Sequence, residues 1–290
     1  MFAAIDVGTN SVRLLIAEYE RKGINYVYKD LKTTRLGEGV AETGYLQEKA
    51  IQRTVDALAE FQDVIRKLNV TKMRAVATSA AREAANGELL IKEAGEKGIK
   101  LEIISGKEEA ELSFKGAISD QETNSNQLVV DIGGGSTEII YCLSGQVLTS
   151  STKAGAVRCT EGNWSEAQIM AAFQPVLEKI RLLPGNELIG VGGTITSLAA
   201  IDQKLGKYDP DLIHGYKLGI ERVRTIRKEL AGLPLAERRQ VKGLQPARAD
   251  IIVAGIDILL AIMSGLGQQL ITVSEKDILD GIILELATVY

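Results

Sequence analysis

The stretch from Asp131 to Glu138, DIGGGSTE, sets three glycines between two carboxylates. Glycine admits φ > 0 and lets a ligand approach the backbone, so successive N–H groups can turn into one concavity that holds an anion. Phosphate suits such a nest, and a hard divalent cation could bridge Asp131 and Glu138 to its oxygens. Gly-Gly pairs also make ordinary hairpins, so one loop is weak evidence. A second copy strengthens it. IDVGTNSVRLLIAE, starting at Ile5, shifted by 125 positions (131 minus 6), puts Asp6 on Asp131, Gly8 on Gly133 and Ser11 on Ser136. The repeat predicts two related half-molecules, each presenting an anion-binding hairpin, with phosphate gripped from both sides of a cleft between them.

The elements that must position these loops follow from hydrophobic period. Leu128 to Val130 and Ile139 to Tyr141 read as strands around the second loop, and Phe2 to Asp6, Val12 to Tyr19 and Tyr26 to Lys32 as a meander around the first, turning at Gly8 and at Lys22-Gly23. Apolar residues from Ile51 to Leu68 recur at helical spacing, predicting a helix over 47–68. A strand at Met73 to Ala77 feeds a helix carrying Arg82, with Thr78-Ser79 as cap, and a strand at Leu101 to Ile104 feeds a helix over 107–118 with Glu108 and Glu109 at its start. The polar run Asp120 to Gln127 is the expected interdomain crossing. Further on, Ser165 caps a helix that stops before Pro184-Gly185, a strand at Leu188 to Val191 opens through Gly192-Gly193-Thr194 into another helix, and helices over 220–230 and 247–265, a strand over 270–273 and a last helix from Asp277 complete the pattern. The expected architecture is α/β: two duplicated lobes, each a mixed sheet flanked by helices, spanning residues 1–122 and 123–277, with the helix over about 278–290 packing back on the first lobe.

Composition narrows the function. With 290 residues and 45% hydrophobic content the chain can fill two cores, and 34 basic against 38 acidic residues argue against a nucleic-acid surface. Aromatics at 4% leave little for base stacking. The longest apolar run, IIVAGIDILLAIM from Ile251, carries Asp257 and falls short of the ~20 residues that span a bilayer, so no membrane segment is expected. Cys142 and Cys159 are the only cysteines, and with no signal peptide read at the N-terminus the expected compartment is the cytoplasm.

Taken in order, IDVGTNSVRLLIAE, RLGEGV from Arg35, AVATSAAREA from Ala75, ISGKEEA from Ile104, VVDIGGGSTEII from Val129, VGGTITSLAA from Val191, HGY from His214 and RADIIVAGIDIL from Arg248 resemble the exopolyphosphatase and guanosine pentaphosphate phosphohydrolase family. That family lies in the superfamily of actin, hexokinase and heat-shock ATPases, and the resemblance covers essentially the whole chain, in its short two-domain form. It implies hydrolysis of a terminal phosphate from linear polyphosphate, guanosine pentaphosphate, or both, and family analogy suggests a homodimer.

Such hydrolysis requires an oriented water, neutralised phosphoryl oxygens and support for the leaving phosphate. The resemblance implies that Glu109 is the catalytic base and that Asp131 and Glu138 are the metal-associated carboxylates, serving Mg²⁺ or Mn²⁺. Asp6 would assist from the opposite loop. Thr9, Asn10, Ser11 and Arg13, with Gly8 beside them, and Gly133, Gly134, Gly135, Ser136 and Thr137 would cradle phosphate, with Arg82 and Arg158 as cations because a guanidinium pairs with phosphate in bidentate fashion. Gly192, Gly193, Thr194 and Arg248 resemble the second-lobe pocket that receives a nucleoside in this superfamily. His214, the single histidine, is read as a structural hydrogen bond or a substrate contact. Residue types alone leave bland alternatives open: Glu108 and Glu109 as favourable first-turn acids, Asp6 as a turn cap, Arg82 as a surface cation. Two other functions compete, a sugar or acid kinase of the same fold and a non-catalytic guanosine tetraphosphate or polyphosphate sensor.

Overall fold

The alternation of buried residues in the first strands shows what the fold must supply. In β1 (Phe2–Val7), Ala3, Ile5 and Val7 enter one apolar cluster while Ala4 enters another, and in β2 (Ser11–Glu20) Val12, Leu14 and Ile16 part from Leu15 and Ala17 in the same way. Both faces of the sheet are therefore apolar and both need helices. The computed structural model describes residues 1–20, 23–120, 127–143, 146–181 and 187–288. They form two compact units, Met1–Ser119 with Asp277–Tyr290, and Asp120–Lys276. The expected turn at Lys22-Gly23 lies partly outside the described residues. So do most of the expected crossing over 120–127 and the helix stop at Pro184-Gly185.

In the first unit β3 (Gly23–Thr33), β4 (Lys72–Ala77) and β5 (Leu101–Ile103) complete a sheet of order β3-β2-β1-β4-β5. β1, β2 and β3 pair antiparallel, and β1, β4 and β5 parallel. A short helix α1 (Val40–Thr43) precedes α2 (Glu48–Lys67), whose Ile51, Val55, Leu58 and Phe61 cover one face. α3 (Ser79–Glu83) follows β4 without the expected side-chain cap from Thr78, and α4 (Gly87–Glu96) precedes β5. α5 (Gly106–Ala117) is capped by Ser105, whose hydroxyl accepts from the Glu108 N–H.

The second unit repeats the plan. β6 (Gln127–Ile132), β7 (Thr137–Leu143), β8 (Gln146–Thr152), β9 (Glu187–Val191), a three-residue β10 (Lys217–Gly219) and β11 (Leu270–Val273) give the order β10-β11-β9-β6-β7-β8. β8-β7-β6-β9-β11 matches β3-β2-β1-β4-β5 in pairing sense, with β10 added at the edge. Its helices are α6 (Ala156–Glu161), α7 (Glu166–Ile180), α8 (Gly193–Asp202), α9 (Pro210–Ile213), α10 (Ile220–Gly232), α11 (Leu235–Arg238) and α12 (Ile252–Leu266). α7 opens on a full capping box from Ser165 and Gln168. The helix expected from residue 247 instead starts at Ile252, because a 3₁₀ turn over Pro246–Arg248 precedes it.

The last helix, α13 (Ile278–Thr288), belongs to the first unit and covers the other face of its sheet. Ile278, Leu279, Ile282 and Ile283 pack with Ala4, Leu15, Ala17, Val76 and Leu112. Two glycines let it approach α5. A Cβ at Gly116 would lie 1.8 Å from the Asp277 carbonyl oxygen, and one at Gly281 2.0 Å from that of Leu112. Gly116→Ala must push backbone from backbone, and a loss of about 1–3 kcal/mol in urea unfolding is expected. The opposite sign is expected of Tyr141→Phe. Tyr141 is 1% exposed and its hydroxyl has no hydrogen-bond partner among the described residues. Deleting that unpaired group should raise stability by about 1 kcal/mol; a fall in the urea midpoint would show that the hydroxyl is satisfied.

Candidate functional site

The two hairpin loops are built alike. Gly8 N–H donates to the Ser11 carbonyl at 3.0 Å, and Gly133 N–H donates to the Ser136 carbonyl at 3.0 Å. In the first loop the Thr9 carbonyl accepts from Gly37 N–H at 2.8 Å, and that of Asn10 from the N–H groups of Thr34 and Arg35 at 3.2 and 2.9 Å. In the second, the Gly133 carbonyl accepts from Ala156 N–H at 3.0 Å, that of Gly134 from Val157 and Arg158 at 2.8 and 3.1 Å, and that of Gly135 from Arg158 Nε at 2.9 Å. Every one of these carbonyls is held from behind. In a trans peptide the C=O and the following N–H are antiparallel, so the N–H groups of Asn10 and Ser11, and of Gly134, Gly135 and Ser136, are turned the opposite way. Successive N–H groups aimed to one side are what an anion nest is built from. Close contact enforces the geometry: a Cβ at Gly155 would lie 2.5 Å from Gly134, and one at Gly37 2.2 Å from Thr9 Cγ2.

The side chains of these loops make contacts within the protein. Thr9, Asn10 and Ser11 are 7–8% exposed, with the Thr9 methyl filling the space above Gly37 and the Asn10 amide donating to the Ser11 hydroxyl. Thr137 is fully buried and donates its hydroxyl to the Ala154 carbonyl at 2.6 Å. Arg158, expected as a cation for substrate, donates its Nε to the Gly135 carbonyl. Arg13 likewise meets carboxylates: its Nε and Nη2 donate to Asp6 Oδ2 at 3.0 and 2.7 Å, and its Nη1 to Asp277 Oδ2. Burial raises the pKa of Asp6, with Arg13 acting against it.

Glu108 and Glu109, inseparable by type, are separated by their partners. Glu108 faces Arg74, which also pairs with Glu285 and Glu102. Glu109 Oε2 accepts from Arg82 Nη1 at 2.9 Å, and the same Arg82 nitrogen donates to the Ile104 carbonyl at 2.9 Å. With side chains 13% and 24% exposed, this pair holds Glu109 in one orientation at the head of α5.

In the second unit Asp131 and Glu138 stand opposite one another across β6 and β7, so their side chains share one face of the sheet. Glu138 is 1% exposed and accepts from the Ser151 hydroxyl at 2.7 Å. Asp131 meets Gly192, which adopts φ 92° and where a Cβ would lie 2.9 Å from Asp131 Oδ1. Gly193 is covered by Arg248: a Cβ there would fall 1.9 Å from its Nη1. The Gly192-Gly193 turn thus brings Asp131 and Arg248 onto one short segment. Thr194 is 4% exposed and lies against Gly255. His214 makes hydrogen bonds within the protein: Nε2 lies 2.8 Å from Asp120, and Nδ1 accepts from Glu275 N–H at 3.3 Å. Tyr208, which bonds to Glu275, was not singled out by sequence; burial and that carboxylate raise its pKa. Asp277 was read only as the start of a helix, because an Asp before an apolar helix looks like a cap. It is one, accepting from Leu279 N–H at 3.0 Å.

The Ppx/GppA phosphatase family matches residues 15–289. Exopolyphosphatase 2 of Mycobacterium tuberculosis is 34% identical over 98% of this chain and 98% of its own length. The bifunctional 3-dehydroquinate synthase/phosphatase of Fusobacterium nucleatum is 37% identical over 98% of the chain, which spans 46% of that protein. A guanosine-5'-triphosphate,3'-diphosphate pyrophosphatase of Vibrio vulnificus is 28% identical, the chain spanning 59% of it. Among solved structures, the Aquifex aeolicus member of the Ppx/GppA family superposes with a TM-score of 0.81 at 30% identity, covering 99% of this chain and 97% of that one. Twin hairpins on duplicated mixed sheets and a match of nearly the whole length agree, and the chain belongs to the Ppx/GppA phosphatase family.

Proposed function

We propose that this chain hydrolyses a terminal phosphoanhydride, releasing orthophosphate from linear inorganic polyphosphate. The observation that carries this reading is the pair of loops whose carbonyls are bonded from behind, which leaves backbone N–H groups for a polyanion. Glu109 is the group that takes the proton from the attacking water, and Arg82 fixes its direction. The loop N–H groups stabilise charge on the phosphoryl oxygens as the bond to the leaving phosphate breaks. The full-length match to the mycobacterial exopolyphosphatase supports this choice of substrate. The similarity to the Vibrio enzyme supports guanosine pentaphosphate as a second substrate, with Arg248 and the Gly192-Gly193 turn as its nucleoside-side contacts.

Asp131 and Glu138 fit a hard divalent ion. They are an all-oxygen pair on one face of the hairpin, and no cluster of three or more potential protein ligands occurs among the described residues. Mg²⁺ needs only one or two protein carboxylates, with water and phosphate oxygens completing its shell, and Mn²⁺ accepts the same donors. When bound it would neutralise charge on the transferring phosphoryl group. No helix among the described residues is long and apolar enough to cross a membrane.

Phosphate release from long-chain polyphosphate, with no acceptor present, tests the reading directly. Glu109→Gln should lower kcat by about 10²- to 10⁴-fold while polyphosphate still binds. Unchanged turnover would remove Glu109 from its role, and tight nucleotide binding without turnover in the parent protein would favour a sensor. Chelation should abolish release and Mg²⁺ or Mn²⁺ restore it, whereas full activity in excess chelator would discard the role given to Asp131 and Glu138.

A further inference from the structure

Arg13 does not end at the hairpin it belongs to. Its Nε and Nη2 bind Asp6 across the β1-β2 pair, and its Nη1 binds Asp277, 264 residues away at the head of α13. The three side chains are 25%, 8% and 10% exposed, so little solvent screens them. Burial opposes the charge on Arg13, and Asp277 and Asp6 outweigh it, leaving its pKa raised.

Asp277 is itself immobilised on several sides. Its Oδ1 accepts from Leu279 N–H, its own N–H donates to Asp280 Oδ2 at 3.2 Å, and its carbonyl lies against Gly116 of α5. Asp280, 1% exposed, accepts in turn from the Tyr26 hydroxyl on β3 at 2.5 Å. A cross-strand Asp-Arg pair alone leaves a long side chain free to swing. A second carboxylate, fixed on another element, triangulates it. Asp6 sits two residues before Gly8, so what holds Arg13 also holds the root of the loop.

We propose that Asp277 is a positioning residue for the N-terminal hairpin, acting through Arg13 on Asp6. The kinetic part of this inference rests on the polyphosphatase reading above; the structural part does not. A contrasting contact serves as control, since Glu285 also ties α13 to the sheet, through Arg74, without touching the hairpin.

Asp277→Asn should lower kcat for phosphate release by roughly 10- to 100-fold, because a small misplacement of binding groups is felt in the transition state, with KM changing less. Hydrogen exchange at the amides of residues 8–13 should rise about tenfold. Glu285→Gln should change neither. Arg13→Ala and the Arg13→Ala/Asp277→Asn double variant should lose the same activity, since both break one chain of contacts. If Asp277→Asn fails to fold, Asp277→Glu, which keeps the charge and displaces it, carries the same test. Wild-type kcat in the folded Asp277 variant, or equal effects from the Glu285 variant, overturns the proposal. Absence of polyphosphatase activity in the parent protein would discard the substrate instead, and the exchange measurement would still decide the positioning role.

Discussion

The constraint on which the rest depends is the direction of a few peptide planes. A glycine-rich turn by itself is free to show either face of its backbone to a ligand, and freedom of that kind makes a poor anion site. Here the choice is removed by hydrogen bonds from the segment behind each loop: residues 34–37 in the first unit, and 156–158 in the second. Planarity of the peptide then transmits the constraint to the N–H groups. Preorganised dipoles need no reorientation when charge develops, so peptide planes fixed in this way suit the phosphoanhydride hydrolysis proposed above.

The two hairpins share a backbone and differ in charge. The 125-residue shift that aligns Asp6 with Asp131 also aligns Arg13 with Glu138, and both pairs stand directly opposite across their strands. In the first unit the carboxylate is neutralised within the protein by an arginine. In the second, two carboxylates face the same side, with the Ser151 hydroxyl donating to Glu138. The two hairpins thus place an arginine and a glutamate at equivalent positions opposite their aspartates. This asymmetry explains why the Asp-x-Gly signature, read alone, overestimates the similarity of the two sites.

What was legible in the sequence was whatever a local period or a local turn determines. The helix expected over 47–68 is Glu48–Lys67, because its apolar stripe runs for five turns. The repeat of the hairpins was visible because glycine, aspartate and serine are each required by the turn. β10 and α6 were not visible: three and six residues are too few to show a period, and both owe their form to neighbours. At the site, residue type left Glu108 and Glu109 alike, the family motif pointed to Glu109, and the tertiary partners Arg74 and Arg82 distinguish them physically. The internal contacts of Thr9, Asn10 and Thr137 were likewise hidden, because a hydroxyl or amide in such a loop shows its type in the sequence but not the neighbour it packs against.

Long-range closure of the first unit has a physical consequence. Its sheet is apolar on both faces, and one of those faces is covered by residues 278–283, which follow the whole of the second unit in the chain. Residues 1–119 alone would expose Ala4, Leu15, Ala17 and Val76, and would leave Arg13 with one carboxylate instead of two. Contacts of such sequence separation are slow to form and are lost together. The same docking that buries the sheet also sets Asp277 against Arg13, so completion of the core and completion of the hairpin are one event. A chain in which α13 is undocked would therefore lack both the cover on that face of the sheet and the second carboxylate on Arg13.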